Sequence, residues 1–117
     1  MTVFKHLLVP LDGSGFAEAA LPYALELAAQ FDSDITLLRV IMPPRLGEGA
    51  LTPESADFTV RVRDDLFKEA IEYLQQQKGS LRHQNFRAHY QVVEAEDIAA
   101  EIISSVRGSG ADTVVMC

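Results

Sequence analysis

Residues 4–14, FKHLLVPLDGS, constrain the fold more than any other stretch of the chain. The apolar run Leu7-Leu8-Val9 stops at Pro10 and gives way to Asp12-Gly13-Ser14. An apolar run of about four to eight residues bounded by Pro and Gly fits a strand covered on both faces, as in parallel sheets. The pattern predicts a buried first strand whose carboxyl end opens into a turn and then a helix. In such sheets ligands bind at the carboxyl ends of the strands, so Pro10, Leu11 and Asp12 are the first candidates for function.

Downstream, Ala17, Ala20, Leu21, Ala24, Leu27, Ala28 and Phe31 recur at helical spacing, with Ser14 available as the cap. Pro22 falls inside this stripe, where it would remove a hydrogen bond at a cost of about 3 kcal/mol. Either the helix kinks there, or its regular part starts near Pro22 and residues 15–21 are a looser lead-in. Asp32-Ser33-Asp34 reads as a turn, and residues 35–42, ITLLRVIM, as a second strand interrupted only by Thr36 and Arg39. Pro43-Pro44 ends it, and residues 45–51, with Gly47 and Gly49, read as a mobile loop. Thr52-Pro53 signals a helix start. That helix carries Phe58, Val62, Leu66, Ala70, Ile71 and Leu74 on one face to about Lys78, with Gly79 as its stop.

Phe86, Ala88, Tyr90 and Val92 alternate with Arg87, His89 and Gln91, the pattern of an edge strand with one wet face. Glu94, Glu96 and Asp97 suit the amino end of a helix carrying Ile98, Ala99, Ile102, Ile103 and Val106, which Gly108-Ser109-Gly110 breaks. Residues 112–117, DTVVMC, read as a fourth strand. The expected fold is therefore α/β, an open parallel sheet with helices on both faces, in a single domain spanning residues 1–117. Two strand orders fit this succession; if the chain winds outward from strand one through two to three and returns to place strand four on the other side, the order is 3-2-1-4. The switch point then lies between strands one and four, with Leu11-Asp12 beside Met116-Cys117.

Several functional classes are disfavoured by totals and motifs. Net charge is −7 and no Lys/Arg cluster exceeds isolated pairs, so nucleic acid is not expected as a partner. A single cysteine, Cys117, allows no internal disulfide and suits a reducing cytoplasm. The run before Pro10 is too short for a signal peptide or a membrane span. Gly13-Ser14-Gly15 begins like a dinucleotide fingerprint, but Glu18 stands where the third Gly belongs, and no Gly-Lys-Ser/Thr occurs. His6, His83 and His89 share no ligand spacing with each other or with Cys117, so no metal site is expected. Ser14 has no assignable His partner, and the carboxylates at Asp64-Asp65 and Glu94/Glu96/Asp97 suit solvated faces, so no catalytic residue is expected. A phospho-receiver would need an acidic pair after strand one, where only Asp12 stands.

The segments VPLDGS, ALPYALELAAQF, TLLRVIMP and GADTVVM, in this order and with a loop and a long helix between the last two, resemble the universal stress protein family. The resemblance spans the whole chain and implies an open parallel sheet of order 3-2-1-4-5, dimers formed through the fifth strand, and one branch that binds ATP beside another that does not. Carried onto this sequence, it implies that Pro10, Leu11 and Asp12 hold the adenosine, that Val40 lies against the adenine, and that Met116 leads into the phosphate loop. In the family that loop is Gly-x2-Gly-x9-Gly-Ser/Thr; here Cys117 stands at its first Gly and the sequence ends. Measured against the resemblance, the fifth strand is expected to be missing from this sequence. A final strand on Val-Val-Met-Cys would lack cover, forgoing about 1.5–3 kcal/mol per exposed side chain, so the sequence is expected to be a C-terminally incomplete piece.

The expectation from these readings is a regulatory, stress-response protein whose intact form binds ATP at the carboxyl ends of strands one and four. It would form homo-oligomers and be no enzyme beyond weak ATP hydrolysis. The alternative is a dimeric interaction scaffold of the branch without ATP. For Asp12 itself, the competing reading is that Asp12-Gly13-Ser14 merely turns the chain and caps a helix.

Overall fold

In the computed structural model, which describes residues 4–42 and 53–117, the first apolar run becomes strand β1 (His6–Pro10), with Leu7, Leu8 and Val9 wholly buried. It pairs in parallel with β2 (Asp34–Ile41), from His6 opposite Asp34 to Pro10 opposite Leu38. Because both faces of β1 are apolar, polarity alone cannot set this register. The ends do: the Asp34 amide donates to the Lys5 carbonyl at 2.9 Å and the Leu11 amide to the Leu38 carbonyl at 2.8 Å. Strand β3 (Arg87–Glu94) lies outside β2, and β4 (Thr113–Val114) lies beside β1. The sheet is parallel with order β3-β2-β1-β4, as expected.

Helices α1 (Gly15–Glu18), α2 (Leu21–Phe31), α3 (Pro53–His83) and α4 (Ile98–Ser109) surround the sheet. One core joins Leu7, Val9, Ile35 and Leu37 to Ala24 and Ala28 of α2 and Leu74 and Leu81 of α3. The other joins Leu8, Leu38 and Ala111 to Ile102 and Val106 of α4. Each fully buried Leu or Val contributes about 1.5–3 kcal/mol, so both faces of β1 anchor the sheet between helix layers.

Of the two readings around Pro22, the structure has the second. The chain pauses after α1, and Pro22 sits in the first turn of α2, where its missing N–H deprives the helix of nothing. Helix α3 overruns the predicted stop. Gly79 is exposed within it, and the extra turn buries Leu81, which outweighs the ~1 kcal/mol that an interior Gly costs. The helix stops at Asn85 instead, at φ 70°, with the Phe86 amide donating back to the Leu81 carbonyl at 3.0 Å. Gly108 likewise lies inside α4, and Gly110, at φ 77°, terminates it. Phe58, assigned to the buried face of α3, is 64% exposed.

Strand β2 begins at Asp34 and leaves Met42 outside, and β3 begins at Arg87 because Phe86 belongs to the helix stop. β3 is an edge strand, and Arg87, His89 and Gln91 are exposed while Ala88 is buried, the alternation expected. The fourth strand is shorter than residues 112–117. Its ladder with β1 runs from the Asp112 amide on the His6 carbonyl to the Val115 amide on the Leu8 carbonyl, each at 3.0 Å. Met116 and Cys117 then leave the sheet, exposed. The 45–51 loop and the capping role of Thr52 lie outside the described residues. Among the described residues no helix is long and apolar enough to cross a membrane.

Candidate functional site

A cleft of about 150 Å³ opens at the carboxyl ends of β1 and β2, roofed by the first turns of α4 and the residues following β4. Pro10, Leu11, Asp12, Val40 and Met116, drawn from three separate parts of the sequence, all line it. They meet there because parallel pairing sets Pro10 level with Leu38, two residues before Val40, while β4 brings Met116 alongside from the other flank. At about half the lower end of the volumes typical for drug-sized ligands, the cleft offers room for a ring-sized group rather than for a whole drug-sized molecule.

Among the described residues Asp12 is the one charged side chain in the lining. Its Oδ1 accepts the Ser14 amide at 2.9 Å and the Ser14 hydroxyl at 2.5 Å, and the Ser14 Oγ in turn accepts the Ala17 amide at 3.1 Å. The turn-and-cap role read from Asp12-Gly13-Ser14 is therefore real, and it occupies only one carboxylate oxygen. Oδ2 has no partner among the described residues. The Ser14 hydroxyl, then the Ser14 amide, hold the Asp12 carboxyl below its usual range against a small opposing effect of burial, with Arg39 adding a weaker pull. Asp12 is accordingly ionised at neutral pH and presents an acceptor for hydroxyl or amino donors at the mouth of an apolar slot.

A family model described as the universal stress protein family matches residues 4–117. The chain belongs to this family. A universal stress protein family member from Burkholderia pseudomallei superimposes with a TM-score of 0.78 at 25% identity, covering 95% of this chain and 79% of that one. The universal stress protein UspA from Lactobacillus plantarum shares the fold, with a TM-score of 0.79 at 18% identity over 96% of this chain and 75% of that one. No curated protein matches the sequence.

The remaining wall of this universal stress protein's cleft comes from Cys117, which the sequence had set beside Asp12, and from Ala17, Leu38, Ile98 and Ile102, which sequence reasoning did not assign to a site. Leu38 was within reach, since it stands two residues before Val40 and so shares its face of β2. Ile98 and Ile102 lie one helical turn apart at the amino end of α4, where Asp97 caps the helix by accepting the Ala100 amide at 3.1 Å. Their spacing showed a buried face without showing that its first turn overhangs the sheet end. Among the described residues the lining pairs no nucleophile with a base.

Proposed function

We propose that this universal stress protein binds an adenine nucleotide, ATP, through its nucleoside end in the cleft, and acts as a regulatory, stress-response protein in the cytoplasm without appreciable turnover. The observation that carries the reading is the convergence of Pro10, Asp12, Val40 and Met116 on one apolar slot with a single ionised carboxylate. The chemistry is selective by sign. A flat base enters the Leu38, Val40 and Ile102 wall, ribose hydroxyls or an exocyclic amine donate to Asp12, and a triphosphate is kept away from that carboxylate and directed outward. The same reading has the protein self-associate.

Adenosine and Mg-ATP titrated into isotope-labelled protein test this directly. Both ligands are expected to shift the methyl resonances of Leu38, Val40, Ile98 and Ile102 and the amides of Leu11 and Asp12, with β3 unaffected. Shifts confined to other surfaces, or none at millimolar ligand, would remove nucleotide binding and leave the interaction scaffold as the better reading.

A further inference from the structure

The turn that presents Asp12 is gripped from the face of the sheet opposite the cleft. Side chains alternate along β2, so Leu38 and Val40 join the α4 side while Arg39 emerges among the residues packed by α2 and α3. Its guanidinium carbon lies 5.8 Å from the centroid of the Tyr73 ring on α3, a cation–π contact. On its other side, Arg39 Nη1 presses so closely on Gly13 that a Cβ there would lie 2.7 Å away. Gly13 stands at φ +88°, where an L side chain is strained in any case. Among the described residues Arg39 has no carboxylate at ion-pair distance, an unusual state for a half-buried cation. The charge it lacks nearby in an ion pair it finds at longer range in Asp12.

The far end of the same segment is held from α3 as well. Tyr73 donates its hydroxyl to Glu18 Oε1 at 2.7 Å, and Gln77 Nε2 donates to the same oxygen at 3.0 Å. Glu18 closes α1, the helix that Ser14 caps. Residues 12–18 are therefore pinned at Gly13 by Arg39 and at Glu18 by Tyr73 and Gln77, while their Asp12 end lines the cleft.

We propose that Arg39 is a positioning residue of the cleft: clamped between the Tyr73 ring and the Gly13 backbone, it fixes the turn that presents Asp12 and ties the geometry of that carboxylate to α3. The consequence for ligand affinity rests on the function proposed above; the clamp itself does not. A broad, planar guanidinium suits this place because it can lie over the ring at 5.8 Å while one of its nitrogens meets the Gly13 backbone, a span that a compact lysine ammonium does not cover.

The test uses the full chain with Arg39→Met, Arg39→Lys and, as a control, Arg63→Met, which removes the other arginine–aromatic contact, over Phe67. NMR follows the Asp12 carboxyl titration and the Ser14 and Ala17 amides, and calorimetry follows adenosine. Arg39→Met is expected to move both amides, raise the Asp12 titration midpoint and weaken adenosine by roughly threefold to tenfold. Arg39→Lys is expected to move the amides while keeping the Asp12 midpoint close to wild type, because the charge remains while the planar group spanning Tyr73 and Gly13 does not. Arg63→Met should move none of the three. An Arg39→Met protein whose Ser14 amide and Asp12 titration match wild type overturns the proposal, even if that protein is less stable. Should Arg39→Met fail to fold, unmoved Ser14 and Ala17 amides in Arg39→Lys overturn it equally. If the wild-type protein binds no adenosine, the proposed function fails, while the amide and titration readouts still decide the clamp.

Discussion

Replacing Gly13 by Ala joins two separable penalties, and their sum can be worked out from the structure. The first is conformational: at φ +88° a non-glycine residue carries strain of about 1–2 kcal/mol. The second is steric: the new Cβ would lie 2.7 Å from Arg39 Nη1, and the guanidinium must back off to an ordinary contact. Held between Gly13 and the Tyr73 ring, whose centroid lies 5.8 Å away, the guanidinium can make room only by sliding sideways off the ring axis, which forfeits about 0.5–1 kcal/mol of the cation–π interaction. Against these, Ala reduces the freedom of the unfolded chain, returning about 0.4–1 kcal/mol. The expected net destabilisation is about 1–2 kcal/mol, a drop of roughly 1 M in urea midpoint at unchanged slope. Only the strain depends on the backbone alone, so Gly13→Ala in an Arg39→Met background should cost about 0.5–1 kcal/mol less than in wild type. Equal losses in both backgrounds would refute the Arg39–Gly13 contact, and no loss in either would refute the left-handed turn.

Ser14→Ala removes both the α1 cap and the strongest hold on the Asp12 carboxylate, and should destabilise the fold by about 1 kcal/mol in urea titrations at pH 7. Because the folded Asp12 titrates below its ordinary 3.8, its contribution is present above that value and lost as pH falls through the folded pKa; in Ser14→Ala the carbon-detected midpoint of Asp12 should rise toward 3.8. Leu74→Ala, at a fully buried position in α3, is expected to cost about 2–5 kcal/mol, whereas Phe58→Ala on the exposed flank of the same helix should stay within about 0.5 kcal/mol, both read by denaturant midpoint. Ser105 is buried in α4 and its hydroxyl has no hydrogen-bond partner among the described residues, so Ser105→Ala should raise stability by about 1 kcal/mol in the same assay.

The sheet was legible because its strands are written in unambiguous patterns. A run apolar on both faces marked β1 as interior, strict alternation marked β3 as an edge, and the βα succession left two orders, of which the structure has the one that winds outward and returns for β4. The meeting of Asp12 with Met116 followed from that order alone. Helix ends were less legible, since Gly79 and Gly108 break local propensity yet lie inside helices that gain more by burying Leu81 or by stopping at Gly110. Pro22 admitted two readings because a proline is costly inside a helix and harmless in its first turn. Arg39 looked like a mere interruption of a strand, since nothing in a linear sequence shows that Tyr73 and Gly13 flank it.

The most direct test of the central claim is a calorimetric titration of adenosine, and separately of Mg-ATP, into wild-type and Asp12→Ala protein. A hydrogen bond to a charged acceptor is worth about 1.5–3 kcal/mol, so the account predicts that Asp12→Ala weakens both ligands by at least about tenfold and by the same factor. Affinity that is unchanged by the substitution, or that falls for Mg-ATP alone, would contradict the assignment of Asp12 to the nucleoside end of the site.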